Sequence, residues 1–217
     1  KVLKVQKADE TSSEADDEIE IVKLVKPEYG CHLIEDFTQD SIFGTHLVLV
    51  FHLCGENLLS SIRLFRYNGI RADIVRKISK QLLQILVHIH EDVKVIHTDI
   101  KPENILISKP SKSIQHIIDN YKPPPIEQSI RLIDRNIFTM TKSQKKRYKR
   151  IKNKHKPIEE DEISSEEEEE YYDRLSNVKM VDFGNSQWIN NVAGIEIQTR
   201  QYRAPEVIIT ENYNETA

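Results

Sequence analysis

Between Asp73 and Glu91, apolar residues recur at three- and four-residue spacing: Ile74, Ile78, Leu82, Ile85, Leu86 and Ile89. That period puts them on one stripe of a helix and the charged residues between them on the other side. A second helix is expected over Glu14–Val25, with Ile19, Val22 and either Ile21 or Val25 on one face. Ser13 would cap it, and Asp16 three residues on makes a weak capping box. Leu58–Phe65 reads as a third, short helix. The short apolar, β-branched runs Val2–Val5, Leu33–Phe37, His46–Phe51, Val93–Ile96, Ile105–Ile107 and Val178–Val181 read as strands. Asp40, Ser41 and Gly44 supply the turn between the second and third runs.

The pattern fails between Lys109 and Asn177. This stretch holds Pro123-Pro124-Pro125, then nine basic residues between Lys142 and Lys156, then ten acidic residues between Glu159 and Asp173. Such runs bury too little apolar surface to offset chain entropy, so most of residues 109–177 is expected to form a disordered spacer with a weak helical tendency. The spacer is a candidate docking or nuclear-import segment, or a plain solvated linker. Ser164 and Ser165, ahead of Glu166–Glu170, suit acidophilic modification.

Charge adds to this picture. The chain has 217 residues, 30% of them charged, and a formal net charge of −4. The 32 residues from Lys142 to Asp173 carry 19 of its charges, and the remainder has an ordinary globular share. A net charge near zero argues against general binding to nucleic acid. No apolar run has the length needed to cross a bilayer, and the opening residues lack the apolar core of a secretory leader. Cys31 and Cys54 make no disulfide framework. A reducing compartment, cytoplasm and nucleus, is expected.

Candidate chemistry concentrates in His97-Thr98-Asp99-Ile100-Lys101-Pro102-Glu103-Asn104. An aspartate in a tight loop can accept the proton of an attacking hydroxyl. A lysine two residues on can neutralise charge on a transferred phosphoryl group. An asparagine five residues after the aspartate can hold a metal ion on the phosphates. Asp182-Phe183-Gly184 follows a predicted strand, and its carboxylate suits Mg²⁺. Ala204-Pro205-Glu206 comes last, after Tyr202 and Arg203. Lys4 in the first strand, anchored by Glu18 in the next helix, could hold phosphates in register. Asp16, Asp17 and Glu20 flank Glu18, which leaves the anchor open. Lys4 could equally be an exposed strand lysine.

In this order the motifs resemble a eukaryotic protein kinase. Thr199-Arg200-Gln201-Tyr202-Arg203 resembles the CMGC group, and within it the SR-protein-specific kinases. That family also has threonine after the loop histidine, as Thr98 does here, and a long spacer before the metal-binding aspartate.

The resemblance implies an α+β, two-lobed kinase fold. Residues 1–54 would belong to the small lobe and 55–108 to the first part of the large lobe. Residues 109–177 would be the spacer, and 178–217 the metal-binding aspartate and activation segment. It further implies ATP and Mg²⁺ as cofactors. Lys4 would touch the ATP phosphates and Glu18 would anchor it, and Phe51 would back the adenine pocket. His52, Leu53 and Cys54 would form the hinge. Asp99 would be the base, Lys101 the γ-phosphate contact, and Asn104 and Asp182 the metal ligands. Thr199 would brace the catalytic loop, with Arg203 and Glu206 in the activation segment.

The implied substrate is a basic, arginine–serine-rich protein, with no direct nucleic-acid or membrane partner; the spacer is the candidate site for regulators. Thr98 cannot pair with a phosphorylated activation segment as an arginine would, so activity independent of such phosphorylation is expected. Phe183 stands where this family usually has leucine, and Val2 where a small alanine is usual. The family's glycine-rich loop and its later large-lobe helices have no counterpart here, so the chain is expected to be a fragment. A catalytically inactive scaffold and a small-molecule phosphotransferase remain the alternatives.

Overall fold

The computed structural model describes residues 1–7, 12–122, 165–191, 197–209 and 213–216. Its first layer is a three-stranded antiparallel sheet in the order β1 (Val2–Val5), β3 (Gly44–Phe51), β2 (Leu33–Ser41). Only the base of this sheet is apolar: Leu33, Val48, Leu49 and Val50 are buried. β2 runs four residues beyond the predicted end at Phe37, through Thr38↔Leu47 to Ser41↔Gly44. Asp40 and Ser41 therefore lie in the strand, with Ile42 and Phe43 as the turn. Cross-strand hydrogen bonds hold this polar arm together, so apolar alternation does not reveal it.

Helix α1 (Ser12–Leu24) starts two residues earlier than expected, which puts Ser13 inside the first turn and not at the cap. Ile21, Val22 and Val25 pack with Leu33, Leu49, Met180 and Phe183 in one core cluster. Helix α2 (Leu58–Leu64) is capped by Asn57, whose side chain accepts the Ser60 N–H at 2.8 Å.

The apolar stripe belongs to α3 (Ala72–Val87), and it joins two cores. Ile74 and Ile78 enter a second cluster with Ile105, Ile107 and Val178, while Ile85 and Ile89 enter the first. The α-helix ends at Val87, short of the predicted Glu91, and the chain continues as a π-helical stretch, His88–Val93. Buried His88 is held there: its Nε2 accepts the Lys26 N–H at 3.2 Å, and its Nδ1 lies 2.8 Å from Asp92 Oδ2. Lys94 then closes the turn at φ +67°. Two short ribbons complete this half. β5 (Ile105–Ile107) pairs with β6 (Val178–Met180), and β4 (Val95–Ile96) with β7 (Gln187–Trp188).

The expected disordered spacer is corrected at both margins. Helix α4 covers Lys112–Asn120, capped by Ser111, and α5 covers Ser165–Leu175. Leu175 is fully buried and Tyr172 nearly so, both in the second cluster. Tyr172 stacks on Phe65 at 5.0 Å between centroids, and the Tyr171 hydroxyl lies 2.8 Å from Ser61 Oγ. Arg174 pairs with Glu56 at 2.6 Å. The bulk charge of this stretch hides an apolar edge of three residues that needs a partner surface to fold. The proline run, the basic run and Ser164 lie outside the described residues. A short helix, α6 (Pro205–Ile209), is the last element among the described residues.

Candidate active site

The site is built on the loop between β4 and β5. Thr98 adopts φ +64°, and its Oγ1 donates to Asn185 O at 2.7 Å. Buried His97 sits beneath, with the ring of Phe183 5.0 Å away. Its Nδ1 accepts the Asp99 N–H at 3.3 Å, which leaves the proton on Nε2 to donate to Val181 O at 3.0 Å. Burial pushes the His97 imidazole below its ordinary pKa, in keeping with a neutral ring. A neutral histidine thus ties the loop to the segment that carries Asp182.

Asp99 is the focus of the loop. Lys101 Nζ donates to Oδ2, and Thr199 donates to Oδ1 twice, from Oγ1 at 2.6 Å and from its N–H at 3.2 Å. Lys101 Nζ also reaches Thr199 Oγ1 at 3.0 Å. Asn104 Nδ2 donates to Asp99 O at 2.9 Å. Burial works to raise the Asp99 carboxyl, but the Lys101 ammonium and the Thr199 bonds outweigh it and hold it below the usual carboxylate range.

A second constellation lies between sheet and helix. Lys4 Nζ meets Glu18 Oε1 at 2.6 Å and Asp182 Oδ1 at 2.9 Å. Glu18 is 2% exposed, which answers which acidic residue of α1 faces the strand. Burial opposes the charge on Lys4, yet Glu18 and Asp182 together raise its pKa. Gln6 Nε2 holds the other Glu18 oxygen at 2.9 Å. Gln6 escaped the sequence reading, although two residues beyond Lys4 it shares that residue's face of the chain. A Cβ on Gly184 would come within 3.2 Å of Glu18 Oε2 and 3.4 Å of Lys4 Nζ, so glycine suits this crossing.

Asp182 itself stands at φ +67°. Val181 donates its N–H to Asn104 O at 3.0 Å, which brings the two expected metal ligands onto adjoining backbone. Their side chains offer a carboxylate and an amide oxygen, hard donors that fit Mg²⁺.

Lys4, Glu18 and Asp182 line one end of a cavity of about 480 Å³, a usual size for a small-molecule site. Phe51, His52, Leu53 and Cys54 line the other end. Val2, Cys31, Leu106 and Ile114 line it too, and no motif marks Cys31 or Ile114 for this place. The remaining two expected residues lie apart from the cavity. Arg203 donates to Gln198 O at 2.9 Å, and Glu206 is half-buried in the first turn of α6.

The sequence matches a known family. Residues 1–151 match the protein kinase domain family, and the chain belongs to it. Among curated relatives it is similar to serine/threonine-protein kinase SRPK of Physarum polycephalum, at 29% identity over 98% of this chain and 49% of that protein. It is 42% identical to serine/threonine-protein kinase spk-1 of Caenorhabditis briggsae, over 52% of this chain and 11% of that protein. It is 30% identical to SRSF protein kinase 3 of Sus scrofa, over 66% of this chain and 28% of that protein. The chain thus spans half or less of the length of these relatives. The resemblance to SR-protein-specific kinases in the CMGC group agrees with these matches, and so does the α+β kinase fold.

Proposed function

We propose that the protein of which this chain is part is a serine/threonine kinase. It would move the γ-phosphoryl group of ATP to serines in a basic, arginine–serine-rich protein. One observation carries the reading: Asp99 is gripped by Lys101, Thr199 and Asn104, beside a cavity that ends in the Lys4–Glu18–Asp182 cluster. The substrate class rests on the kinship with SRPK-type kinases.

The residues divide the work. The hinge, His52–Cys54, lies at the cavity end away from Lys4 and would take the adenine edge. Lys4, kept charged by Glu18, would orient the phosphates. Asn104 and Asp182 would hold Mg²⁺, which supplies charge neutralisation between the phosphates. Asp99, held ionised, would accept a hydrogen bond from the serine hydroxyl and take its proton as the hydroxyl acidifies during transfer. Lys101 would stay with the phosphoryl oxygens and offset their charge. Catalysis of this kind is mainly positioning and electrostatics.

Phosphate transfer to arginine–serine peptides by the full-length protein tests this. Asp99→Asn should lower the rate by roughly 10²–10⁴, the range for loss of a general base. Near-parental turnover in that variant would remove Asp99 from the chemistry. Absence of transfer by the parent, despite nucleotide binding, would favour a scaffold.

A further inference from the structure

Two thiols meet at the hinge end of the cavity. Cys31 lies just before β2 and Cys54 just after β3, and both face the cavity. Both are free, and their Sγ atoms are 2.9 Å apart. A disulfide bond is about 2.05 Å long, so closure would take a sulfur shift of less than about 1 Å.

The backbone fixes both partners. His52 N–H donates to His32 O at 3.1 Å, which keeps the two strands side by side past the Leu33↔Phe51 pair. On one flank, Gly30 bridges to Met180. On the other, Gly55 N–H donates to Ile107 O at 2.7 Å, and a Cβ there would come within 2.4 Å of Lys109 O. These bonds flank both cysteines and keep their sulfurs within reach of each other.

The electrostatics differ between the two sulfurs. The hydrogen bond from Cys31 lowers the Cys54 thiol to about 7, against burial and with help from the Lys179 charge. The same contact and burial raise Cys31. Cys54 is thus the nucleophile of the pair near neutral pH, and Cys31 the waiting partner.

We propose that Cys31 and Cys54 form an oxidant-responsive dithiol, closed to a disulfide by a hydroperoxide, and that closure weakens nucleotide binding. This rests on the nucleotide reading of the cavity. In the first step the Cys54 thiolate attacks the peroxide O–O bond, forming an S–O bond and releasing hydroxide, which leaves as water once protonated. In the second, Cys31 Sγ attacks Cys54 Sγ; the S–O bond breaks and the oxygen leaves as a second water with the Cys31 proton. Two thiols lose two electrons, and the peroxide gains them. Drawing Cys54 toward Cys31 turns the hinge backbone away from the adenine edge. The expected loss is about threefold to tenfold in nucleotide affinity, that of one misdirected hydrogen bond.

The test uses the full-length protein, reduced, then exposed to hydrogen peroxide and alkylated. Non-reducing peptide mapping should show a Cys31–Cys54 crosslinked peptide that a thiol reductant dissolves. Titration with a fluorescent ATP analogue should show weaker binding after oxidation, restored on reduction. Cys31→Ser, compared with its own reduced form, should give no crosslink and leave a Cys54 sulfenic acid that dimedone captures. Two freely alkylated thiols after peroxide would overturn the proposal. So would a mapped crosslink with unchanged affinity. If neither form binds the analogue, the nucleotide reading and the gating fall together, while the peptide map still decides the thiol chemistry.

Discussion

Thr199 is the residue whose replacement best isolates the grip on Asp99. Its Oγ1 donates to Asp99 Oδ1 at 2.6 Å and accepts from Lys101 Nζ at 3.0 Å, while its backbone N–H holds the same carboxylate oxygen at 3.2 Å. Thr199→Val keeps the shape and the backbone bond and deletes only the hydroxyl. A hydrogen bond to a charged group contributes about 1.5–3 kcal/mol. If the whole of that is lost in the transition state, turnover falls about 10- to 150-fold, since 1.36 kcal/mol is a factor of ten. KM for ATP should change little, because Thr199 does not line the cavity proposed for the nucleotide. Steady-state transfer to an arginine–serine peptide, with melting curves to verify folding, measures both quantities. Thr199→Ser restores the hydroxyl and should recover most of the rate. A valine variant within twofold of the parent would refute the reasoning, and so would a serine variant as impaired as valine.

Two further outcomes follow from burial and charge. Leu175→Ala, at a fully buried position in the second core, should destabilise the protein by about 2–5 kcal/mol in denaturant unfolding. A loss under about 1 kcal/mol would mean that α5 is not part of the folding unit. His97 is depressed in the folded state, so its contribution to stability is complete above the unfolded value of about 6.5 and erodes as pH falls through and below it. Asp99, also depressed, keeps its contribution down to about pH 4, its unfolded range, and loses it only below that. Denaturation midpoints at stepped pH should therefore decline from about 6.5 downward. A level midpoint down to pH 5 would contradict a buried neutral His97.

The sequence was most legible where chemistry demands a fixed spacing. Asp99, Lys101 and Asn104 lie on one loop, so their order in the chain already encodes their meeting. Lys4 and Glu18 were harder, because five acidic residues share one helix and only burial distinguishes Glu18 from its neighbours. The α3 stripe was readable from its period, but its conversion to a π-helical stretch depends on His88 bonding to Lys26, far away in sequence. The arm of β2 past Phe37 is polar and held by pairing, which leaves no apolar trace. Helix α5 was hidden by its own composition: the acidic run dominates the count, whereas Tyr171, Tyr172 and Leu175 decide the packing. Cys31 lies in no motif, and only the strand register brings it to Cys54.

The pairing of β5 with β6 changes what the spacer is. Ile105↔Met180, Leu106↔Lys179 and Ile107↔Val178 form an antiparallel hairpin whose connecting loop is the whole spacer. Asp99 and Asn104 lead into one arm, and Asp182 leaves the other. The spacing between Asp99 and Asp182 is therefore set by three ladder pairs, whatever the length of chain that departs and returns. Doubling a loop's length costs only about 0.6 kcal/mol in closure entropy. Sequence can thus be gained or lost between α4 and α5, and with it new signals, while these residues stay in place.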